Sequence, residues 1–81
     1  MGSDVTEQLA TYAHEAWSGW MRYLFSLSHP NEDGSLTIPN TLVQRWQRQL
    51  ATKYADLPAE EKESDRVEAQ RMLTIVEGSN V

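Results

Sequence analysis

The sequence contains no cysteine and only two histidines in 81 residues. Without cysteine, the chain has neither a disulfide framework nor a thiolate metal site. His14 and His29 are too few for a histidine-based zinc site unless carboxylates complete it. No glycine-rich phosphate loop and no spacing typical of a catalytic triad is present. We therefore predict no metal site, no other cofactor and no catalytic residue.

Long apolar runs and an excess of basic side chains are also missing. No stretch approaches the roughly 20 apolar residues that cross a bilayer. Residues 1–15 contain no Lys or Arg and no apolar run of the kind that a secretory signal needs. Twelve acidic against seven basic side chains give a net charge of −5. This balance argues against a general nucleic-acid coat protein, because binding to phosphates depends on positive charge.

The apolar residues that are present recur at helical spacing. Hydrophobic residues, counted with alanine and the aromatic residues, make up 40% of the chain. This is enough for one small folded domain. From Val5 to Phe25 they are separated by three or four residues, which predicts a first helix from Asp4 to Leu27. Its apolar arc is unusually wide. We expect this helix either to lie centrally among the others or to cover a partner subunit.

A dense set of turn-forming residues from Ser28 to Ser35 predicts a loop after the first helix. We expect the next segment to be extended and to place Leu36 and Ile38 beneath the helices. A second helix is predicted to open at Pro39 and Asn40, with Asn40 as its N-cap. The predicted buried face of this helix comprises Leu42, Val43, Trp46 and Leu50.

A third helix is predicted to begin near Pro58 and to run to about Glu77, with Gly78 as its C-terminal stop. The predicted fold is therefore all-α: a small three-helix domain with one ordered loop or extended segment between helices one and two. We assign residues 4–77 to this single helical domain. Residues 1–3 are interpreted as a tag remnant or disordered start, and residues 78–81 as a frayed tail.

The apolar face of the third helix becomes charged toward its N-terminus. At about 100° per residue, four apolar residues share one face, which we expect to be buried. Continued toward the start of the helix, that face carries charged side chains, and buried charges need partners or a ligand. The apolar residues are Ala69, Met72, Leu73 and Val76, and the charged residues are Lys62, Asp65 and Arg66.

Helix one carries an aromatic face with His14 and Trp17, and Trp20 lies beside it. If this face meets the charged face of helix three, a cleft forms between them. Its six lining residues are His14, Trp17, Trp20, Lys62, Asp65 and Arg66. Lys62 and Arg66 would hold an anion, helped by the free N–H groups at the start of helix three, and an indole would stack on a flat ring. The alternative is structural, with Asp65 fixing Arg66 or His14, or with Arg66 bound by carbonyls of the connecting loop.

Two stretches resemble the repeat domain of ryanodine receptors, which also occurs alone in bacterial and phage proteins. In residues 54–66, an aromatic residue, a Leu, a Lys and an Asp-Arg pair match that domain's second signature. The run from Ile38 to Tyr54 is similar to short phage and prophage proteins of this group. The resemblance implies a mostly helical module without established chemistry, and by association a link to nucleotide-signal conflict systems. The first stretch is Leu9-Ala10 followed by His14-Glu15-Ala16-Trp17.

From these observations we predict a small non-catalytic phage-type module that binds an anionic or nucleotide-like ligand. The alternative is a protein-interaction or assembly subunit that forms a homo-oligomer through helix one and has no small-molecule ligand. Nucleic-acid binding through Arg45, Arg48 and Lys53 is less favoured because three basic groups release few counterions. We expect a cytoplasmic protein without membrane contact, acting in the host cytoplasm if a phage encodes it.

Overall fold

The structure is a computed structural model, and it describes residues 2–79. The predictions for Met1 in the disordered start, and for Asn80 and Val81 in the frayed tail, lie outside the described residues.

Three helices make up most of the described chain, which confirms the all-α prediction. Between the first two helices the chain forms a two-stranded antiparallel hairpin, and a short 3-10 turn precedes the third helix. The elements in chain order are α1 (Gly2–Leu27), β1 (His29–Pro30), β2 (Leu36–Thr37), α2 (Asn40–Ala51), the 3-10 turn (Tyr54–Asp56) and α3 (Ala59–Ser79).

The start of α2 differs from the prediction. The N-cap is Pro39 rather than Asn40, and no side chain caps the helix there. The ring of Pro39 holds φ at −56°, and its carbonyl accepts hydrogen bonds from the N–H groups of Leu42 and Val43. A proline can take this position because it lacks a backbone N–H and no N–H is needed there. Asn40 is therefore the first residue inside the helix.

Both long helices extend beyond their predicted ends. Helix α1 already includes Gly2, two residues before Asp4. Helix α3 starts after Pro58 and continues to Ser79. The carbonyl of Pro58 accepts hydrogen bonds from the backbone N–H groups of Glu61 and Lys62. Gly78 is not a C-terminal stop, because it does not adopt the positive φ of a left-handed cap.

The segment predicted to run extended beneath the helices is one strand of an exposed hairpin. Leu36 pairs with Pro30 in the antiparallel register, and the side chains of Leu36 and Ile38 are exposed. Local hydrogen bonds account for this difference. The amide of Asn31 donates to the hydroxyls of Ser35 and Thr37, so the turn is held by its own side chains.

Asp33 and Gly34 form the tip of this hairpin. A carboxylate oxygen of Asp33 accepts from the backbone N–H of Ser35 at 2.9 Å and from its hydroxyl at 2.6 Å. Gly34 has a φ of 88°, a conformation that costs other residues about 1–2 kcal/mol. The Asp-Gly pair therefore fixes the turn by chemistry that is entirely local.

The described chain divides into two compact units. Unit 1 contains Met1–Trp17 and Pro58–Val81, and unit 2 contains Ser18–Leu57. In unit 1 the half-buried positions of α1 lie on one line, and those of α3 include a line at seven-residue spacing. These positions are Val5, Leu9, Tyr12 and Ala16 on α1, and Glu61, Glu68 and Ile75 on α3.

The face of α3 predicted to be buried is exposed instead. Ala69, Met72, Leu73 and Val76 all lie in solvent. They are centred about 90° around the helix from the half-buried line. The prediction followed the density of apolar residues, whereas the line that is half-buried in unit 1 contains two glutamates.

In unit 2 the predicted apolar face of α2 is correct for three of its four residues. Leu42, Val43 and Trp46 are half-buried. Leu50, one turn beyond Trp46 on the same side, is 88% exposed. It lies in the last turn of α2, where nothing in unit 2 covers it.

No side chain is fully buried in the part of the chain whose burial is described, residues 4–78. The most covered apolar positions of each unit still keep part of their surface exposed. Many large apolar side chains therefore remain in contact with water.

Candidate interaction surface

His14 and Trp17 lie against each other on α1, as their spacing predicts. Their rings are 6.1 Å apart, centroid to centroid, and nearly parallel at 28°. Both side chains are exposed, and they lie about 140° around α1 from the half-buried line of unit 1. In unit 1 it is a different face of α1, the one carrying Tyr12, that lies near α3.

The charged residues of α3 lie near the start of the helix. The guanidinium of Arg66 pairs with the Glu63 carboxylate at 3.5 Å, and the Arg66 side chain is 56% exposed. This is neither of the partners expected for the structural alternative, which were Asp65 and the loop carbonyls. Asp65 is exposed, and Lys62 is half-buried. A surface ion pair like that of Arg66 is worth about 0–1 kcal/mol.

Trp20 belongs to an aromatic cluster in unit 2. Its indole packs edge-on against Trp46 at 6.2 Å and against Tyr23 at 5.6 Å. The structure thus places Trp20 in one aromatic group and the His14–Trp17 stack in another. The six-residue ligand cleft stays a prediction.

Sequence reasoning missed an open groove in unit 1. It has a volume of about 410 Å³ and is lined by residues of α1 and α3. The hydroxyl of Tyr12 is buried here, and it has no hydrogen-bond partner within residues 2–79. No apolar pattern in the sequence indicates this groove, because the half-buried line of α3 contains two glutamates. The lining residues are Tyr12, Glu15, Arg71, Thr74 and Ile75.

Hydrogen bonds within the hairpin perturb the ionisation of one of its carboxylates. The hydroxyl of Ser35, and then its backbone N–H, hold the pKa of Asp33 below its ordinary value of 3.8. Both donors stabilise the ionised carboxylate. Because all of these groups belong to the turn itself, the effect serves the fold of the hairpin.

Within residues 2–79, no group of three or more His, Asp or Glu side chains is placed to hold a metal ion. In the same range, no helix is long and apolar enough to span a membrane.

Two exposed apolar surfaces remain, one in each unit. The first, which we call the α3 stripe, has the i, i+3, i+4, i+7 spacing of a helix-packing face. The second, which we call the tryptophan face, combines the aromatic cluster of unit 2 with the exposed end of α2. The α3 stripe comprises Ala69, Met72, Leu73 and Val76, and the tryptophan face comprises Trp20, Tyr23, Trp46 and Leu50.

No protein-family model, no curated protein and no solved structure shows significant similarity to this chain. The exposed surfaces are therefore the features that indicate a function.

Proposed function

We propose that this chain is a non-catalytic protein-interaction module that binds through its exposed apolar side chains. One observation carries the proposal. Trp20 is 55% exposed, Leu73 is 50% exposed and Leu50 is 88% exposed, while no side chain within residues 4–78 is fully buried. Scattered apolar residues are normal on protein surfaces, but contiguous groups of large ones mark interaction sites.

The energetics favour covering these side chains. Removing a Leu, Met or Phe side chain completely from water contributes about 1.5–3 kcal/mol. A partner that covered Leu50, Leu73 and Trp20 would therefore gain several kcal/mol before paying the entropy of association. The residue types also fit, because Trp, Tyr and Met are enriched in protein interfaces.

Helix α1 supports the same proposal. Its apolar arc is wide, as the sequence indicates, and four of its large side chains are exposed. Two of these side chains, Trp20 and Tyr23, belong to the tryptophan face, so an interface through that face includes α1 and agrees with the assembly function considered from the sequence. The four residues are Trp17, Trp20, Tyr23 and Phe25.

The anionic-ligand module is the second candidate. Its support is Lys62, which is half-buried near the start of α3. Arg66 weakens it, because that guanidinium is exposed and already paired with Glu63. Thermal-shift measurements with phosphate, mononucleotides and cyclic dinucleotides test this candidate. Stabilisation that Lys62→Gln removes would support it, and no shift with any of these compounds would exclude it.

The relationship to the ryanodine-receptor repeat domain and to phage proteins remains a hypothesis about ancestry. It depends on residues 54–66, which span the 3-10 turn and the first turns of α3. It assigns no chemistry to the chain and is compatible with an interaction module.

Quantitative mass spectrometry tests the interaction module. A tagged chain is expressed in its native cells and purified gently. We expect a stoichiometric partner, either the untagged chain or another protein, that Leu50→Gln and Leu73→Gln both lose. Val67→Gln and Phe25→Gln are matched controls, because each removes an exposed apolar side chain outside the two surfaces. The proposal is refuted if the wild-type chain is monomeric and retains no protein in stoichiometric amount.

A further inference from the structure

We propose that the partner is a second copy of this chain, bound head to tail. In this arrangement the α3 stripe of one copy packs on the tryptophan face of the next. The inference rests on the proposed interaction function and names its partner.

The two units differ in charge. Unit 1 carries nine acidic and three basic side chains, a net charge of −6, whereas unit 2 carries three acidic and four basic side chains, a net charge of +1. Nine of the twelve acidic side chains of the chain thus belong to one unit. Opposite charges on two surfaces favour their encounter and fix which surfaces meet.

The charge difference is sharper on the elements that form the tryptophan face. Neither α2 nor the part of α1 in unit 2 contains an acidic residue. The three acidic side chains of unit 2 are all outside its helices α1 and α2, in the hairpin tip and the 3-10 turn. The four basic side chains are Arg22, Arg45, Arg48 and Lys53.

The spacing of the apolar residues suits both surfaces to helix packing. Met72, Leu73 and their neighbours form a straight stripe on α3, which is the surface that a helix presents when it packs against another element. On the other side, Leu50 follows Trp46 by four residues on α2, and Trp46 contacts Trp20. The α3 stripe and the tryptophan face therefore have the residue types of two packing surfaces.

Charge also distinguishes a symmetric contact between α3 stripes from a head-to-tail contact. A symmetric contact between two α3 stripes would bring together two units that each carry −6. A head-to-tail contact brings a unit of −6 against a unit of +1. Like charges in juxtaposition are costly, so the head-to-tail interface is favoured. Such an interface leaves one free surface at each end and grows into a chain or closes into a ring.

Complementation between two variants tests this arrangement. Leu73→Gln disables the α3 stripe, and Leu50→Gln disables the tryptophan face, without a change in charge and with little change in helix propensity. In sedimentation velocity, the wild type forms concentration-dependent oligomers, and each variant alone weakens association at least about tenfold. A mixture of the two variants forms a 1:1 heterodimer that grows no further, because only one intact pair of surfaces remains.

The controls and the contrary outcomes are distinct. Val67→Gln and Phe25→Gln associate like the wild type. If Leu73→Gln is monomeric while Leu50→Gln still dimerises, the interface is symmetric and the inference is wrong. If the wild type is monomeric at about 1 mM, the inference is also wrong, but the proposed function stands when another protein is retained from native cells.

Salt dependence provides a second test that needs no variant. Raising the salt from about 50 mM to about 500 mM screens the attraction between the two units. The Kd for self-association should rise by at least about threefold. A Kd that is unchanged or lower at high salt overturns the charge-directed arrangement.

Discussion

Replacing Trp46 with Ala removes the central side chain of the aromatic cluster in unit 2. The indole is half-buried, and it packs edge-on against Trp20 at 6.2 Å. Leu50 lies one turn further along the same helix and is 88% exposed. Substituting Ala at the two positions therefore compares a covered and an uncovered side chain on the same side of one helix.

The expected magnitudes differ clearly. Truncating a fully buried Trp or Phe to Ala costs about 3–5 kcal/mol, and half-burial reduces this to about 2 kcal/mol. Loss of the edge-to-face pair adds about 1 kcal/mol. We expect Trp46→Ala to lower the free energy of unfolding by about 3 kcal/mol, a large share of the stability of a small domain. Leu50→Ala should change it by less than about 0.5 kcal/mol.

Urea unfolding followed by far-UV circular dichroism measures both effects. The samples should be dilute enough to be monomeric, so that association does not contribute to stability. Equal losses from the two substitutions would refute the reasoning. A loss of less than about 0.5 kcal/mol for Trp46→Ala would also show that the aromatic cluster does not stabilise unit 2.

Three further predictions concern local features. NMR titration should give Asp33 a pKa below 3.8, returning toward that value in Ser35→Ala. Because the folded-state pKa is lowered, this stabilisation is present above the unfolded-state pKa and is lost as the pH falls through the folded-state value. Gly19→Ala should raise the free energy of unfolding by about 0.5–1 kcal/mol, since α1 has open space there. Gly34→Ala should lower the free energy of unfolding by about 1 kcal/mol, because Gly34 has a positive φ. Urea unfolding measures the sign of both changes. Arg66→Ala should change the free energy of unfolding by less than about 0.5 kcal/mol, because its ion pair with Glu63 is exposed. A larger loss in the same urea unfolding experiments would show that this ion pair is stronger than the structure indicates.

The sequence predicts the helices well because their signals are local. Apolar spacing and the absence of internal proline define α1, and Pro39 and Pro58 precede the other two helices. The hairpin was missed because its strands are only two residues long. It is held by side-chain hydrogen bonds of Asn31, which hydropathy does not reveal.

The buried faces were harder to predict because burial depends on which elements meet. On α3 the apolar face centred on Leu73 is exposed, and the half-buried line contains Glu61 and Glu68. On α2 the spacing of Leu50 is indistinguishable from that of Trp46, yet only Trp46 is covered. A rule that buries the most apolar face therefore fails on α3, because its most apolar face is not the one that is half-buried.

Hydroxyl-radical footprinting tests the central claim most directly, because it reports the solvent exposure of individual side chains. We expect Leu50 and Leu73 to be highly reactive in the dilute chain and to become protected together as the concentration rises, while Val67 remains reactive. Protection of both leucines already at high dilution would contradict the account, and so would unchanged reactivity of both up to about 1 mM protein.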